Sequence, residues 1–97
     1  MSAERVELKK NTELSRYEVW LDGQRVGFAE YLRQDDVVVM PHTETDPAFG
    51  GRGLAGRLVD FALRDIDAQG LRVEPSCWFV AGYIRRNPQY QRLVANA

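Results

Sequence analysis

The sequence has very little of what builds a disulfide framework or a zinc site. Cys77 is the only cysteine and His42 the only histidine among its 97 residues. A single cysteine cannot form an intramolecular disulfide, and structural zinc sites draw mainly on several Cys and His ligands. We therefore expect a domain that is stabilised by its apolar core and binds no metal.

Long apolar runs and an excess of one charge are also missing. No run reaches the roughly 18 apolar residues of a membrane-spanning helix, and residues 1–10 lack the apolar segment of a signal peptide. We expect a cytoplasmic protein without a membrane anchor. Lys and Arg number 13 against 14 acids, a balance that gives no general attraction to nucleic acid.

The first half of the sequence has the patterns of β-strands. Apolar and polar residues alternate in its first three runs, as in strands with one buried face. The dipeptide Asp22-Gly23 predicts a two-residue hairpin between the second and third runs. The fourth run is continuously apolar, which is typical of a strand buried on both faces. The predicted strands are residues 6–8, 16–21, 25–32 and 37–40.

The period becomes helical over residues 53–69, where apolar residues recur every three or four positions. Gly70 predicts the end of this helix. A fifth strand follows at 71–73, and a second helix at 78–86, which Pro88 terminates. The apolar face of the first helix comprises Leu54, Leu58, Val59, Ala62, Leu63 and Ile66.

The order of these elements predicts an α/β fold of the mixed α+β type. Four mostly antiparallel strands precede a helix, a strand and a helix. Residues 47–70 are long enough for the crossover that joins two parallel strands. We expect one central sheet and a single domain spanning residues 1–97.

A glycine-rich segment leads into the first helix. Its glycines let the backbone approach a ligand closely, and the first N–H groups of the helix have no intrahelical partner. Arg52 adds a positive charge. The pattern predicts a site for a pyrophosphate, with a simple flexible turn as the alternative. The segment consists of Phe49, Gly50, Gly51, Arg52, Gly53, Leu54, Ala55 and Gly56.

This segment resembles the acetyl-CoA loop of GNAT acetyltransferases, whose pattern is Arg or Gln, two residues, Gly, one residue, then Gly or Ala. Gly53 and Ala55 match the last two positions, whereas Gly50 departs from the first. Residues 42–90 further resemble shortened GNAT-like proteins similar to YjdJ-type N-acetyltransferase domains. Those proteins lack the two N-terminal helices that form much of the acceptor site in larger relatives. The sequence likewise has no convincing helix between its first two strands.

The resemblance implies acetyl-CoA as the cosubstrate and an unidentified amine as the acceptor. The pantetheine arm is expected between the splayed fourth and fifth strands, near residues 40–43 and 71–74. Arg52 is the leading candidate for the coenzyme phosphates, ahead of Arg57 and Arg85. Beyond the loop, the implied coenzyme site comprises Met40, Pro41, His42, Thr43, Tyr83 and Arg86.

Four residues are candidates for the chemistry. The position of Tyr83 resembles that of the general acid near the CoA sulfur in larger relatives, and the alternative is an aromatic anchor. Cys77, at a predicted helix start where a thiol pKa falls, is a candidate nucleophile or a small buried residue. His42 in its neutral form could accept a proton, or be a hydrogen-bonded residue at a strand end, and Glu44 is a second candidate base. Possible acceptor-pocket residues are Trp20, Tyr31 and Trp78, with Trp20 expected in the core.

Three functions stay open on the sequence alone. The first is an N-acetyltransferase, and the second is a module that holds an acyl-CoA with little or no turnover. The missing N-terminal helices favour the module, because they leave little surface to select an acceptor. The third is a structural domain that has lost its ligand, against which the glycines at 51 and 53 argue. We expect a monomer or a weak homodimer.

Overall fold

In a computed structural model, which describes residues 4–95, the chain folds into two adjoining β-sheets and two α-helices. This agrees with the predicted mixed α/β class, but the predicted single central sheet is wrong, because the strands divide between two sheets. Neither helix in this part of the chain is long and apolar enough to cross a membrane. The strands are β1 (Val6–Asn11), β2 (Arg16–Leu21), β3 (Gln24–Glu30), β4 (Leu32–Gln34), β5 (Val37–Val39), β6 (Thr43–Thr45) and β7 (Arg72–Glu74). The helices are α1 (Leu54–Ala68) and α2 (Trp78–Arg86), and 3-10 turns lie at Pro47–Phe49 and Pro88–Leu93.

The first sheet is antiparallel, in the order β1-β2-β3-β6. Asp22 and Gly23 both have positive φ, 50° and 82°, as a tight turn of the I′ type requires. The predicted hairpin between β2 and β3 is confirmed. Residues 12–15 form a turn between β1 and β2, so no helix separates these strands.

The second sheet has the order β4-β5-β7, and β5 pairs with β7 in parallel. The predicted crossover supplies this pair, since α1 lies between the two strands in sequence. The apolar face of α1 packs on the core side of the first sheet. Each of the six residues predicted for this face is at most 4% exposed. At about 1.5–3 kcal/mol for each large apolar side chain buried, this face is a main source of stability.

Three predicted strands differ from those observed. The first, predicted at 6–8, continues to Asn11. The return strand at 25–32 is divided at Tyr31, whose N–H donates to the Ser15 carbonyl (3.0 Å), and the chain then passes into the second sheet as β4. The predicted strand at 37–40 corresponds to β5. It is not buried on both faces as predicted, because Val37 and Val39 are only half-buried. The additional short strand β6, paired with β3, was not predicted as a separate element.

Trp20 is half-buried on the outer face of the first sheet, so its predicted place in the core is wrong. The period of two along β2 puts Tyr17, Val19 and Leu21 in the core and Trp20 opposite. There the indole Nε1 donates to Glu18 Oε1 (3.0 Å). The Lys9 ammonium lies 4.3 Å from the centre of the indole ring.

Candidate active site

The two sheets separate at Met40 and Pro41, and this separation creates a wedge in the molecule. Met40 is fully buried, its N–H donates to the Glu74 carbonyl (3.0 Å), and its own carbonyl accepts from the Cys77 N–H (2.9 Å). Two residues later the His42 carbonyl accepts instead from the Glu30 N–H of β3 (2.9 Å). Between Met40 and His42 the chain therefore changes its hydrogen-bonding partner from β7 to β3. The backbone of Met40 is fully engaged, and its predicted contact with a coenzyme stays a prediction.

One wall of the wedge is the unpaired edge of β6, which is the last strand of its sheet. His42 and Asp46 bond to β3 on either side of the Phe28–Glu44 pair. Because antiparallel ladders alternate, the backbone groups of Thr43 and Thr45 point away from β3 and into the wedge. The cavity there has a volume of about 330 Å³. Its lining residues are Pro41, His42, Thr43, Thr45, Ala55, Ser76, Cys77, Trp78 and Phe79.

The glycine-rich loop, residues 49–56, lies at one end of the wedge and offers a row of N–H groups that are free within the described residues. Gly51 and Gly53 have φ of 79° and 72°, in the left-handed region. Within residues 4–95, no N–H of residues 51–56 donates to an acceptor, and no side chain caps α1. A cavity of about 240 Å³ in front of the loop adjoins the wedge, and both are lined by Thr45, Ala55 and Phe79.

The predicted arginines are placed unequally around the loop. Arg52 forms an exposed ion pair with Glu4, and its guanidinium lies 5.5 Å from the Phe49 ring centre. Exposed pairs of this kind contribute little, so an anion at the loop can compete for Arg52. Arg57 faces a neighbouring cavity, whereas Arg85 and Arg86 lie exposed in the last turn of α2 and line neither the wedge nor the loop cavity.

Cys77 lies on the wall of the wedge opposite β6, at the N-cap of α2. It is 7% exposed, and its Sγ is 3.6 Å from Thr43 Oγ1. Burial on its own would raise the pKa of the thiol. The N–H of Val80, the Thr43 hydroxyl and the N–H of Phe79 favour the thiolate more strongly, so the pKa lies below its usual value.

His42 and Glu44 form a polar pair at the mouth of the wedge. His42 Nε2 lies 2.9 Å from Glu44 Oε2, and both side chains are at least half exposed. The imidazole also packs edge-on against Phe28, with 6.2 Å between ring centres. The structure thus brings His42, Thr43 and Cys77 to one cavity, and it connects Glu44 to that cavity through His42. Among residues 4–95 no group of three His, Cys, Asp or Glu side chains could hold a metal ion.

Tyr83 belongs to a different cavity on the other side of α1. Its hydroxyl donates to Asp60 Oδ1 (3.2 Å), and Tyr90 donates to the same carboxylate. Burial and then the negative charge of Asp60 raise the pKa of Tyr83 to about 12. This cavity, of about 460 Å³, shares Gly53 and Gly56 with the loop but does not include Cys77. The structure therefore does not bring Tyr83 and Cys77 together in one cavity.

The three aromatic residues predicted for an acceptor pocket are also dispersed. Trp78 lines the wedge and is 82% exposed. Tyr31 packs 5.0 Å from the Tyr17 ring centre on another part of the molecule, and Trp20 lies on the outer sheet face. Ser76 and Phe79 also line the wedge but were not predicted as site residues, although both follow Pro75 at a strand end, where site residues often occur.

Residues 16–93 match a protein-family model described as GCN5-related N-acetyl-transferase. The match covers most of the chain, so the chain belongs to this family. The predicted membership of the GNAT superfamily is confirmed, and the matched range includes both helices and all strands except β1.

Individual proteins give weaker but consistent matches. Protein NATD1 of Gallus gallus is 35% identical over 57 residues, which are 59% of this chain and 52% of that protein. The chain therefore spans about half the length of the curated relatives it matches. The solution structure of a GCN5-like protein from Staphylococcus aureus superposes with a TM-score of 0.72 at 16% identity, covering 94% of this chain and 89% of the other. AAC(6')-Iy, solved with the bisubstrate analogue CoA-S-monomethyl-acetylneamine, gives 0.58 at 13% identity over 99% and 96%. At these identities the structures establish the fold alone.

Proposed function

We propose that the chain is an acetyl-CoA-dependent N-acetyltransferase whose pyrophosphate site is formed by residues 51–56. The observation that carries this proposal is the row of free N–H groups at the start of α1, which a pyrophosphate would satisfy. Arg52 would exchange Glu4 for a phosphate oxygen. The complex of AAC(6')-Iy with a CoA analogue supports the choice of ligand.

The pantetheine arm would follow the edge of β6. Its amides can pair with the backbone groups of Thr43 and Thr45, as an extended ligand adds to a free sheet edge. This path leads from the loop cavity to the adjoining wedge, since the two cavities share three lining residues. The thioester would then lie beside Cys77.

In this proposal Cys77 carries the acetyl group between coenzyme and acceptor. Its thiolate would attack the thioester carbonyl carbon, form a new C–S bond and release CoA as a thiolate, which takes a proton from solvent. A neutral amine would then attack the acetyl-cysteine and regenerate the Cys77 thiolate. His42, hydrogen-bonded to Glu44, would accept the proton that the amine loses. Tyr83 would hold α2 against α1 through Asp60.

A module that binds acetyl-CoA without turnover is the second candidate. The short turn at 12–15 favours it, because no helix between β1 and β2 supplies acceptor surface. The same feature supports the resemblance to the shortened YjdJ-type proteins.

Calorimetry with acetyl-CoA, followed by intact mass, tests both candidates. Saturable binding and an acetyl adduct that Cys77→Ala abolishes would support the enzyme. Binding without an adduct, and without CoA release when amines are added, would support the module. If neither acetyl-CoA nor CoA binds, the proposed function is wrong.

A further inference from the structure

The groove that joins the loop to the wedge has opposite charges at its two ends. The loop end carries the free N–H groups and Arg52, which is held in an exposed ion pair with Glu4. At the wedge end, Glu44 bonds to His42 (2.9 Å) and Glu74 accepts from Ser76 Oγ (3.3 Å). Of the described residues, His42 and Ser76 both line the wedge and no Lys or Arg does. Glu44 itself lines a neighbouring cavity that also contains Arg25, so the wedge feels its charge through His42. Such a rim attracts a cation and repels an anion.

Trp78 adds an exposed aromatic surface to this acidic rim. It is the first residue of α2, next to Cys77, and its indole meets Phe79 edge-on with ring centres 6.0 Å apart. The side chain is 82% exposed, whereas Trp20 is half-buried and hydrogen-bonded to Glu18. The face of a Trp ring is the best aromatic surface for an ammonium group.

We infer that the mouth of the wedge is the acceptor subsite, that it takes an alkylammonium group, and that Trp78 is its recognition residue. Glu44 and Glu74 select the positive charge. His42, whose side chain is half exposed, takes the proton of the bound ammonium and passes it to solvent before the neutral amine attacks. The order of charges along the groove then matches the two reactants, with the anionic coenzyme at the loop and the cationic acceptor at the wedge. The inference rests on the proposed function for its catalytic meaning, although binding of the cation requires no turnover.

The inference predicts which amines are accepted. A diamine or a lysine side chain presents an alkylammonium without a neighbouring carboxylate. ε-Aminocaproate has the same ammonium and a carboxylate that the rim repels, and hexanol has the chain without any charge. We expect the first two to bind more tightly than ε-aminocaproate, and hexanol to bind least.

The fluorescence of Trp78 provides a direct assay. The chain has two tryptophans, so Trp20→Phe leaves Trp78 as the only source of indole emission. This variant, its fold checked by circular dichroism, is titrated with hexamethylenediamine, a lysine-containing peptide, ε-aminocaproate and hexanol, with and without CoA. A saturable change with either cation supports the subsite. A lower Kd for the diamine indicates a free amine as acceptor, and a lower Kd for the peptide indicates a lysine side chain.

Substitutions test the roles of the two kinds of side chain. Trp78→Ala should raise the KM for the amine about twofold to fivefold without changing the Kd of acetyl-CoA, whereas Leu32→Ala, which removes another exposed apolar side chain, should not. Glu74→Gln should weaken diamine binding and reduce its salt dependence, and Glu13→Gln in the β1–β2 turn serves as its control.

Two results would overturn the inference: an equal response to hexanol and the diamine, or no response to either cation. Calorimetry with acetyl-CoA on the same Trp20→Phe protein separates the two proposals. If the coenzyme binds and the cations do not, the acceptor subsite is wrong and the proposed function stands. If the cations bind and the coenzyme does not, the cation subsite stands and the proposed function is wrong.

Discussion

Gly53→Ala should separate coenzyme binding from stability, because α1 offers a matched control at its other end. Gly53 and Gly70 have nearly the same φ, 72° and 70°, and a Cβ added to either meets nothing within 4 Å. A left-handed conformation costs a residue with a Cβ about 1–2 kcal/mol. Both variants should therefore lose similar stability, with the Tm falling by roughly 4–8 °C for each kcal/mol in a domain of this size.

Gly53 lines the loop cavity and Gly70 does not, so we expect only the methyl group at position 53 to narrow the space in front of the free N–H groups. Displacing the pyrophosphate from one of these donors forfeits a hydrogen bond to a charged group, about 1.5–3 kcal/mol. We expect the Kd of acetyl-CoA to rise roughly tenfold to a hundredfold in Gly53→Ala and to stay unchanged in Gly70→Ala. Calorimetry and thermal unfolding on both variants check this. An equal loss of affinity in both, or none in Gly53→Ala, would refute the assignment of the loop.

Three further predictions concern titratable groups. The lowered pKa of Cys77 predicts that iodoacetamide labels it at lower pH than an ordinary thiol, and Thr43→Val should shift this pH profile upward. Tyr83→Phe should cost about 1 kcal/mol of stability through the lost bond to Asp60 and leave acetyl transfer nearly intact, whereas a drop of about a hundredfold would make Tyr83 the general acid. Glu18→Gln should reduce the acid sensitivity of unfolding followed by circular dichroism. Hydrogen bonds offset burial and lower the pKa of this carboxyl, so its stabilisation is present above the usual value of 4.5 and is lost as the pH falls through the lower folded value. An unchanged acid limb in the variant would contradict that role.

Local patterns predicted those parts of the fold that depend on neighbours in sequence. The apolar face of α1 and the Asp22-Gly23 hairpin are set by side-chain period and turn chemistry, and both are confirmed. The separation of the sheets at Met40 depends instead on the choice between β3 and β7 as hydrogen-bonding partners. That choice is made in three dimensions, and no local period records it. Pro41 is a local sign of the break, since it has no N–H to donate.

The burial of side chains on the outer face of the first sheet could not be predicted from the sequence either. Alternation along β2 identifies one apolar face but does not show that a carboxylate opposite it is covered. Glu18 is 4% exposed because Arg16, Asn11 and Trp20 all donate hydrogen bonds to it. Each of these partners is an ordinary surface residue in sequence. The burial of Trp20 was overestimated for the same reason, because a large aromatic ring can cover a polar network instead of entering the core.

At Met40 and Pro41 the chain changes its hydrogen-bonding partner from β7 to β3. This change leaves the edge of β6 unpaired, and the shortness of that edge limits association with other chains. An unpaired strand edge in a small protein invites association with other chains, and proteins limit this by keeping such edges short. The free edge of β6 is three residues long, and the β7–α2 connection faces it across the wedge. Closing the wedge by pairing Thr43 and Thr45 with that connection would protect the edge better, but it would also seal Cys77 inside. The open edge is therefore best explained as the place where an extended ligand completes the sheet.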